Sequence, residues 1–492
     1  MESIWKSEVD FKKRKSLDKD IECDTVIIGG GIAGLLIGYM LKECGIESII
    51  IDAKLICSGN TKNTTAKITS QHELIYDNLI KEFGEEKAKH YALVNEEAIK
   101  KYKEIIEKEN IDCDFKETDA YVYSLEENKP IEDEYNAAIK LGIDAELISE
   151  IPLPIQIKKA LKFKHQAQFN PLEFLKPISE KLTVYENTKA TDIDIHNNVV
   201  VTDKGYISAK RIIVATHYPF FNIPGYYFLK MHQERSYVLG LENASDFDGM
   251  YIGIEDNGYS YRTYKDLVLF GGANQRTGEN EQGTAYETLR KAAKVIFPNC
   301  KERYHWSAQD CVSLDNIPYI GHYSTKTPNI YVATGFKKWG MTSSMVSAMI
   351  ISDMIRGIDN EYADIFSPSR FDLSASMKNA GNDMAKTAKN FIAQKIHVPN
   401  EYLDDVKNGE GKIINYENKK VGVYKDVKGK IYTVSTKCPH LGCELKWNAD
   451  EFTWDCPCHG SRFDYEGKWI EGPAKPTKSL KWLYKKVRWL YE

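Results

Sequence analysis

Two short runs, Cys438-Pro439-His440-Leu441-Gly442-Cys443 and Cys456-Pro457-Cys458-His459-Gly460-Ser461, hold six side chains able to ligate a metal. A zinc ribbon closes its tetrahedron with four ligands, so two candidates would be left over, and the spacings differ from paired Cys-x-x-Cys knuckles. The other chemistry open to this set is a 2Fe-2S cluster with two thiolates on one iron and two imidazoles on the other. Each run offers one Cys–His pair and one spare Cys. Neutral imidazoles in place of two thiolates leave less negative charge on such a cluster and raise its potential above that of a four-cysteine one.

The two runs resemble the Rieske family closely, down to Cys-x-His-Leu-Gly-Cys and Cys-Pro-Cys-His-Gly-Ser. The resemblance implies that Cys438 and Cys456 hold the inner iron and His440 and His459 the solvent-side iron, while Cys443 and Cys458 pair as a disulfide that pins the loops together. Ser461 matches the family serine that donates to a cluster sulfur. Two residues on, high-potential members carry a tyrosine donor, and this chain has Phe463. Hydrogen bonds to the sulfurs help set the potential, so the missing hydroxyl implies a value below that of respiratory Rieske proteins.

A second chemical pattern begins at Asp24. The apolar run to Ile28 leads into Gly29-Gly30-Gly31-Ile32-Ala33-Gly34, then a helical stretch through about Cys44 and a strand from Ser48 to Ile51 that ends at Asp52. Glycines permit a tight turn and close approach of backbone to a pyrophosphate, the helix N-terminus faces the phosphates, and Asp52 is placed to accept from a ribose hydroxyl. The motif alone does not separate FAD from NAD. The next polar segment, Ser58-Gly59-Asn60-Thr61-Lys62-Asn63-Thr64-Thr65-Ala66-Lys67, is built of small residues and suits a ribityl chain and flavin edge; a solvated loop is the plain alternative.

That segment resembles its counterpart in the D-amino-acid-oxidase-like superfamily, which includes glycine and sarcosine oxidases. The resemblance implies FAD held by Gly29, Gly31, Ile32, Ala33, Gly34, Asp52, Ser58, Thr64, Thr65 and Ala66. Val184 to Ala190 resembles the adenine-side strand, and Arg211 to Thr216 the strand that closes on the cofactor with Ala215 and Thr216. Thr334 to Met341 resembles the turn into the last helix, Thr342 to Arg356, bringing Gly335, Trp339, Gly340, Met341 and Thr342 to the flavin; a helix N-terminus there would stabilise negative charge at the pyrimidine end.

The elements that position these motifs come from a chain of 492 residues, too long for one core and long enough for two to four domains. The fold class expected is α/β plus all-β. A Rossmann-type FAD-binding domain is read over 21–75, 165–225 and 310–360, with an inserted mixed-sheet substrate domain over 76–164 and 226–309. An N-terminal arm (1–20) precedes them; a helical linker (361–405) and a small antiparallel β Rieske domain (406–492) come after. Tyr91, Val94, Ala98, Tyr102 and Ile105 recur at helical spacing and read as a packing face. Met377, Ala380, Met384, Ala388 and Phe391 read as the strap between domains, and Leu480 to Tyr491 as a closing strand.

A net charge of −5 gives no global basic field for nucleic acid, and the run Lys12-Lys13-Arg14-Lys15 reads as a solvated arm. Cys23, Cys44, Cys57, Cys113, Cys300 and Cys311 are scattered and read as free thiols. Met1 to Lys19 has no apolar core of a signal peptide, and Val26 to Leu41 is broken by glycines, so the expectation is a cytoplasmic protein with no membrane span.

A flavin exchanges electrons in pairs or singly, and an iron–sulfur cluster only singly. Together they turn a two-electron oxidation into two one-electron exits. No second Gly-x-Gly-x-x-Gly unit for NAD(P)H and no facial triad of an oxygenase domain are visible in the sequence, so the electrons are expected from a small organic substrate, an amine or N-methyl compound, and their other party is a one-electron acceptor or donor protein. The competing reading is an electron-transfer or redox-sensing protein without turnover. Where the superfamily often places an arginine for a substrate carboxylate stands Asp310, which cannot pair one; a structural cap is the alternative. Arg262 and Tyr237 are candidates for substrate recognition, with an ion pair as the plain alternative for Arg262. Lys67 and His72, at and just beyond the end of the flavin segment, are candidates for catalysis, with structural roles as the alternative; Cys57 and His72 leave covalent attachment of FAD open.

Overall fold

A computed structural model describes residues 2–256, 258–370 and 402–474. The run Ile21–Ile28 is buried at its C-terminal end, as expected of a strand covered on both faces. It lies at the centre of an eight-stranded sheet, parallel to Ser48–Ile51 on one side and to Tyr206–His217 on the other. Ile330–Thr334 and Thr183–Tyr185 extend the parallel part; Tyr319–His322 and the pair Ala190–Asp194 and Val199–Thr202 add antiparallel strands. Helices Ile32–Glu43 and Gly340–Arg356 pack against one another beside this sheet.

A second, nine-stranded mixed sheet runs in the order Lys301–Ser313, Met231–Glu242, Leu267–Arg276, Ser260–Tyr264, Met250–Gly253, Lys116–Ser124, Lys159–Gln168 and Lys67–Ile68, with Ala145–Ile148 also on Lys159–Gln168. Asn170 ends this excursion by capping helix Pro171–Glu180, its side chain accepting from the N–H groups of Leu172 and Glu173. Helix Glu85–Glu109 buries Tyr91, Val94, Ala98, Tyr102 and Ile105, the face its periodicity defines.

The C-terminal part is all β: a three-stranded antiparallel sheet (Gly411–Tyr416, Lys419–Lys425, Ile431–Ser435) and a four-stranded one (Lys446–Asn448, Thr453–Asp455, Arg462–Asp464, Trp469–Glu471). Trp454, Leu445 and Phe463 fill the core beneath the cysteine loops. The methionine-bearing strap and the strand expected over Leu480 to Tyr491 lie outside the described residues.

Lys12, Lys13 and Lys15 of the basic run are exposed, whereas the residues around them are seated on the body. Ile4, Trp5, Val9 and Leu17 are buried, Trp5 Nε1 donates to the Thr64 carbonyl at 2.7 Å, and the Arg14 guanidinium bonds Ser179. Burial of apolar residues interspersed with the charges seats this segment on the body of the protein. Among the described residues no helix is long and apolar enough to cross a membrane.

Candidate functional site

The glycine turn is shaped by close approach. A Cβ on Gly29 would collide with the Ala215 carbonyl, and one on Gly34 with the carbonyl of Gly29, so strand, turn and helix meet only with glycine at these positions. Asp52 holds the turn, its carboxylate accepting from the N–H groups of Gly30 and Lys54, each at 2.8 Å. The Ile32 N–H at the head of the helix goes to Thr61 Oγ1 at 3.0 Å.

From this turn a continuous cavity of about 2100 Å³ runs beneath the second sheet. Gly29, Gly31, Ile32, Ala33, Asp52, Ser58, Thr64, Thr65, Ala190, Ala215, Thr216, Trp339, Gly340 and Met341 line it. Ala66, Gly335 and Thr342 stand behind its wall: Ala66 and Thr342 are buried, and Gly335 takes a left-handed turn with φ +74°. The polar segment 58–66 is anchored along its length. Trp306 Nε1 donates to the Asn63 carbonyl at 2.8 Å, Trp5 holds Thr64, and the Arg262 guanidinium donates to the carbonyls of Thr65 and Ala66. At the other end Trp339 stacks on His72 at 4.8 Å, and its buried indole N–H has no partner. A donor left free on a cavity wall and glycines that admit a backbone-hugging ligand fit a flavin dinucleotide.

The cysteine runs form two adjoining loops. Cys443 and Cys458 are joined as a disulfide with a Cα–Cα separation of 6.5 Å. Cys438 and Cys456 remain free thiols, both buried. The rings of His440 and His459 lie 4.9 Å apart and nearly perpendicular, and the Nδ1 atom of each is buried without a hydrogen-bond partner. Two orphaned imidazole nitrogens beside two buried thiols are the donor set of a two-Cys, two-His cluster. Ser461 Oγ accepts from the Ala474 N–H at 3.0 Å, and Phe463 is fully buried in the same core.

This loop domain is docked on the rest of the chain through a polar seam. Three carbonyls of the second loop accept from side chains of the flavin-side body: Pro457 from Arg276 Nε (3.1 Å), His459 from Gln233 Nε2 (2.6 Å) and Gly460 from Gln309 Nε2 (2.9 Å). Beside them Arg235 pairs with Glu451 (2.6 Å) and Glu471 (3.4 Å), and Arg462 with Glu451 (3.0 Å), Asp455 (3.0 Å) and Glu471 (2.8 Å). The two guanidinium groups pull the Glu451 carboxyl down to about 2 against the opposing effect of burial. On the first loop, among the described residues, His440 makes a single hydrogen bond to the body, between Nε2 and Asn222 Oδ1 at 3.1 Å.

The structure redistributes the expected catalytic residues. Arg262 is fully buried, absent from the cavity wall, and donates to the carbonyls of Thr65, Ala66 and Phe169, which makes it a clamp on the segment 58–66. Desolvation without a paired carboxylate lowers it to about 9. The Tyr237 hydroxyl accepts from Asn280 (2.9 Å) and Gln275 (3.2 Å), and Asn280 also bonds Asn448 and Asp450 of the loop domain, so Tyr237 lines the cavity where it meets the seam. His72 is buried between Tyr91 Oη (2.7 Å) and the Thr69 carbonyl (2.8 Å), packing that serves to orient Trp339. Lys67, His72, Tyr237 and Asp310 all line the cavity. Lys67 has two hydroxyl partners, Ser260 (2.6 Å) and Thr65 (3.3 Å), and desolvation lowers it to about 7. Asp310 opens onto the cavity beside Ser236 (3.5 Å) and is raised to about 7, again by desolvation.

The seam residues Gln233, Arg235, Gln309, Glu451 and Arg462 were not legible as site residues. One signal was present: Gln233-x-Arg235-x-Tyr237 and Ser307-x-Gln309 place polar groups on a single face of strands otherwise rich in apolar residues.

With parallel sheet, glycine turn, roofing sheet and cysteine loops in place, the class is defined. The chain belongs to the DAO family of FAD-dependent oxidoreductases, whose model matches residues 24–354, and it carries a Rieske [2Fe-2S] domain, matched over residues 397–483. FAD and a 2Fe-2S cluster are the cofactors of these two units. Among relatives, YhfW of Bacillus subtilis (strain 168), whose name describes it as a Rieske 2Fe-2S iron-sulfur protein, is 41% identical over 97% of both chains. The gamma-glutamylputrescine oxidoreductase of Escherichia coli (strain K12) is 25% identical over 71% of this chain and 87% of its own. The crystal structure of L-proline dehydrogenase from P. horikoshii superposes with a TM-score of 0.61 at 19% identity, covering 72% of this chain and 98% of that one, a likeness of fold.

Proposed function

We propose that this protein oxidises a small amine or N-methyl compound at FAD and passes the electrons singly through its Rieske cluster to an acceptor protein. The observation that carries the reading is one continuous cavity. It is bounded at one end by the glycine turn, roofed by the second sheet, and edged by Glu451, Arg462, Glu471 and Pro473 of the loop domain. Its volume of about 2100 Å³ exceeds the roughly 300–1,000 Å³ of an ordinary ligand pocket, leaving room for a substrate beside a dinucleotide.

Gly29, Gly31, Ile32, Ala33 and Asp52 would hold the pyrophosphate and ribose, Ser58, Thr64 and Thr65 the ribityl side, and Trp339 to Thr342 the far edge of the flavin. Cys438, Cys456, His440 and His459 would hold the iron atoms. When bound, the flavin supplies hydride removal from a C–H next to nitrogen and the cluster one-electron delivery. Lys67 and Asp310 are the groups placed to move protons, because each sits near its own midpoint at neutral pH. Asp310 gives the cavity a carboxyl where a carboxylate-binding arginine would stand, which favours a cationic substrate over a free amino acid. The name of one relative, gamma-glutamylputrescine oxidoreductase, supports a substrate carrying nitrogen.

Anaerobic mixing of the loaded protein with a panel of polyamine derivatives, secondary and N-methyl amines should bleach the flavin and then develop the reduced-cluster paramagnetic signal. A panel that leaves the flavin oxidised overturns the reading in favour of an electron-transfer protein without turnover.

A further inference from the structure

The two buried glutamines of the seam do more than fill it. Gln233 and Gln309 stand on neighbouring antiparallel strands whose register pairs Gln233 with Cys311 and Arg235 with Gln309, so both amides lie on the face turned to the loop domain. Each is almost fully buried, and a buried amide must find partners for every group it carries. Gln309 Nε2 donates to Gln233 Oε1 (2.6 Å) and to the Gly460 carbonyl (2.9 Å); its Oε1 accepts from Thr277 Oγ1 (3.0 Å). Gln233 Nε2 donates to the carbonyl of His459 (2.6 Å). The approach depends on glycine, since a Cβ on Gly460 would run into the Gln233 side chain.

The other end of the bridge reaches the flavin segment. The Gln309 N–H donates to Asn60 Oδ1 at 3.2 Å, and its carbonyl accepts from Asn60 Nδ2. An unbroken series of covalent and hydrogen bonds therefore runs from Asn60, on the cavity wall, through Gln309 and Gln233 to the backbone of a candidate iron ligand. His440 differs. It is half-buried, held by one bond to Asn222, and adjoins the exposed Leu441 and Gly442.

We propose that Gln309 and Gln233 are positioning residues that lock the His459 arm against the flavin site and form the path by which electrons cross, so that transfer occurs with the loop domain docked and not by its swinging. The proposal rests on the functional reading above and specifies its coupling. Each crossing takes one electron from the reduced flavin and adds one to the oxidised cluster. Two crossings return the flavin to its oxidised form with release of its N5 proton, and an oxidised one-electron carrier protein removes one electron from the cluster after each.

The test uses the full chain loaded with both cofactors and carrying Gln309→Leu. Reducing the flavin photochemically frees the experiment from any choice of substrate. Expected results are cluster reduction slowed about tenfold relative to flavin reduction and amide hydrogen exchange over 456–461 accelerated by a similar factor, as follows from losing the bond that Gln309 gives the Gly460 carbonyl. A purely structural role would lower Tm and leave the ratio of the two rates unchanged, which overturns the proposal. Should Gln309→Leu fail to fold, Gln233→Met removes the bond to the His459 carbonyl and is read by the same ratio. Wild-type protein whose cluster stays oxidised while its flavin is reduced would defeat the functional reading itself; normal wild-type coupling with an unchanged ratio in the variants would defeat only the bridge.

Discussion

The strands Met231–Glu242 and Lys301–Ser313 carry Arg235 and Asp310 on opposite faces and in contrasting electrostatic settings. On the face turned to the loop domain, Arg235 meets Glu451 and Glu471, so burial is offset by paired charge and the groups are held in their ionised forms. On the other face, Asp310 has a weak hydroxyl contact and is driven toward its neutral form. Elsewhere on the cavity wall, Lys67 has the hydroxyls of Ser260 and Thr65 as its hydrogen-bond partners among the described residues. The difference separates groups that fix geometry from groups left free to meet a ligand. Buried charges with full partners hold a seam in register, whereas desolvated groups near neutrality can exchange protons.

Breaking the seam should have the largest effect. Glu451→Gln leaves Arg235 and Arg462 short of a shared counter-charge, and a loss of about 3–5 kcal/mol is expected in denaturant unfolding of the loaded protein. A loss under about 1 kcal/mol would mean that water or Glu471 takes over the charge. Arg262→Met tests the same contrast with carbonyls in place of carboxylates: about 2–4 kcal/mol of stability and looser flavin binding are expected, with substrate KM unchanged once FAD is saturating. A selective rise in KM would restore Arg262 to the substrate site.

A smaller, pH-shaped effect belongs to Asp310. Its folded value of about 7 lies above the ordinary 3.8, so the folded state holds the proton more tightly and stability declines as pH rises from about 4 to about 7. Asp310→Asn should remove that decline, gaining on the wild type across this window and running parallel to it above; denaturant midpoints at several pH values show it. The smallest expected effect is that of Phe463→Tyr, which should raise the midpoint potential of the cluster in a redox titration. No upward shift would show that a hydroxyl there does not reach a sulfur.

What could be seen in the sequence was local. The turn at Gly29–Gly34 with Asp52, and the loops at 438–443 and 456–461, are compact patterns in which spacing carries the chemistry. The seam escaped because Gln233, Gln309, Glu451 and Arg462 are ordinary polar residues joined only by the fold. Trp5 escaped for the same reason, its partner at Thr64 being set by tertiary packing. Arg262 gave no sign of its place behind the wall because a buried polar side chain on a strand looks alike whether it serves a ligand or the backbone behind it.

The alternation of the two strands has a consequence for variation in this chain. Because neighbouring residues point to opposite sides, the address that matters along 231–242 and 301–313 is parity. Ser236, Ala308 and Asp310 can vary on one side while Arg235, Ser307 and Gln309, one step away in sequence, go on holding the loop domain in place. A single-residue insertion in either strand would exchange the two inventories beyond it at once, turning a change at the cavity into a loss of the docking seam.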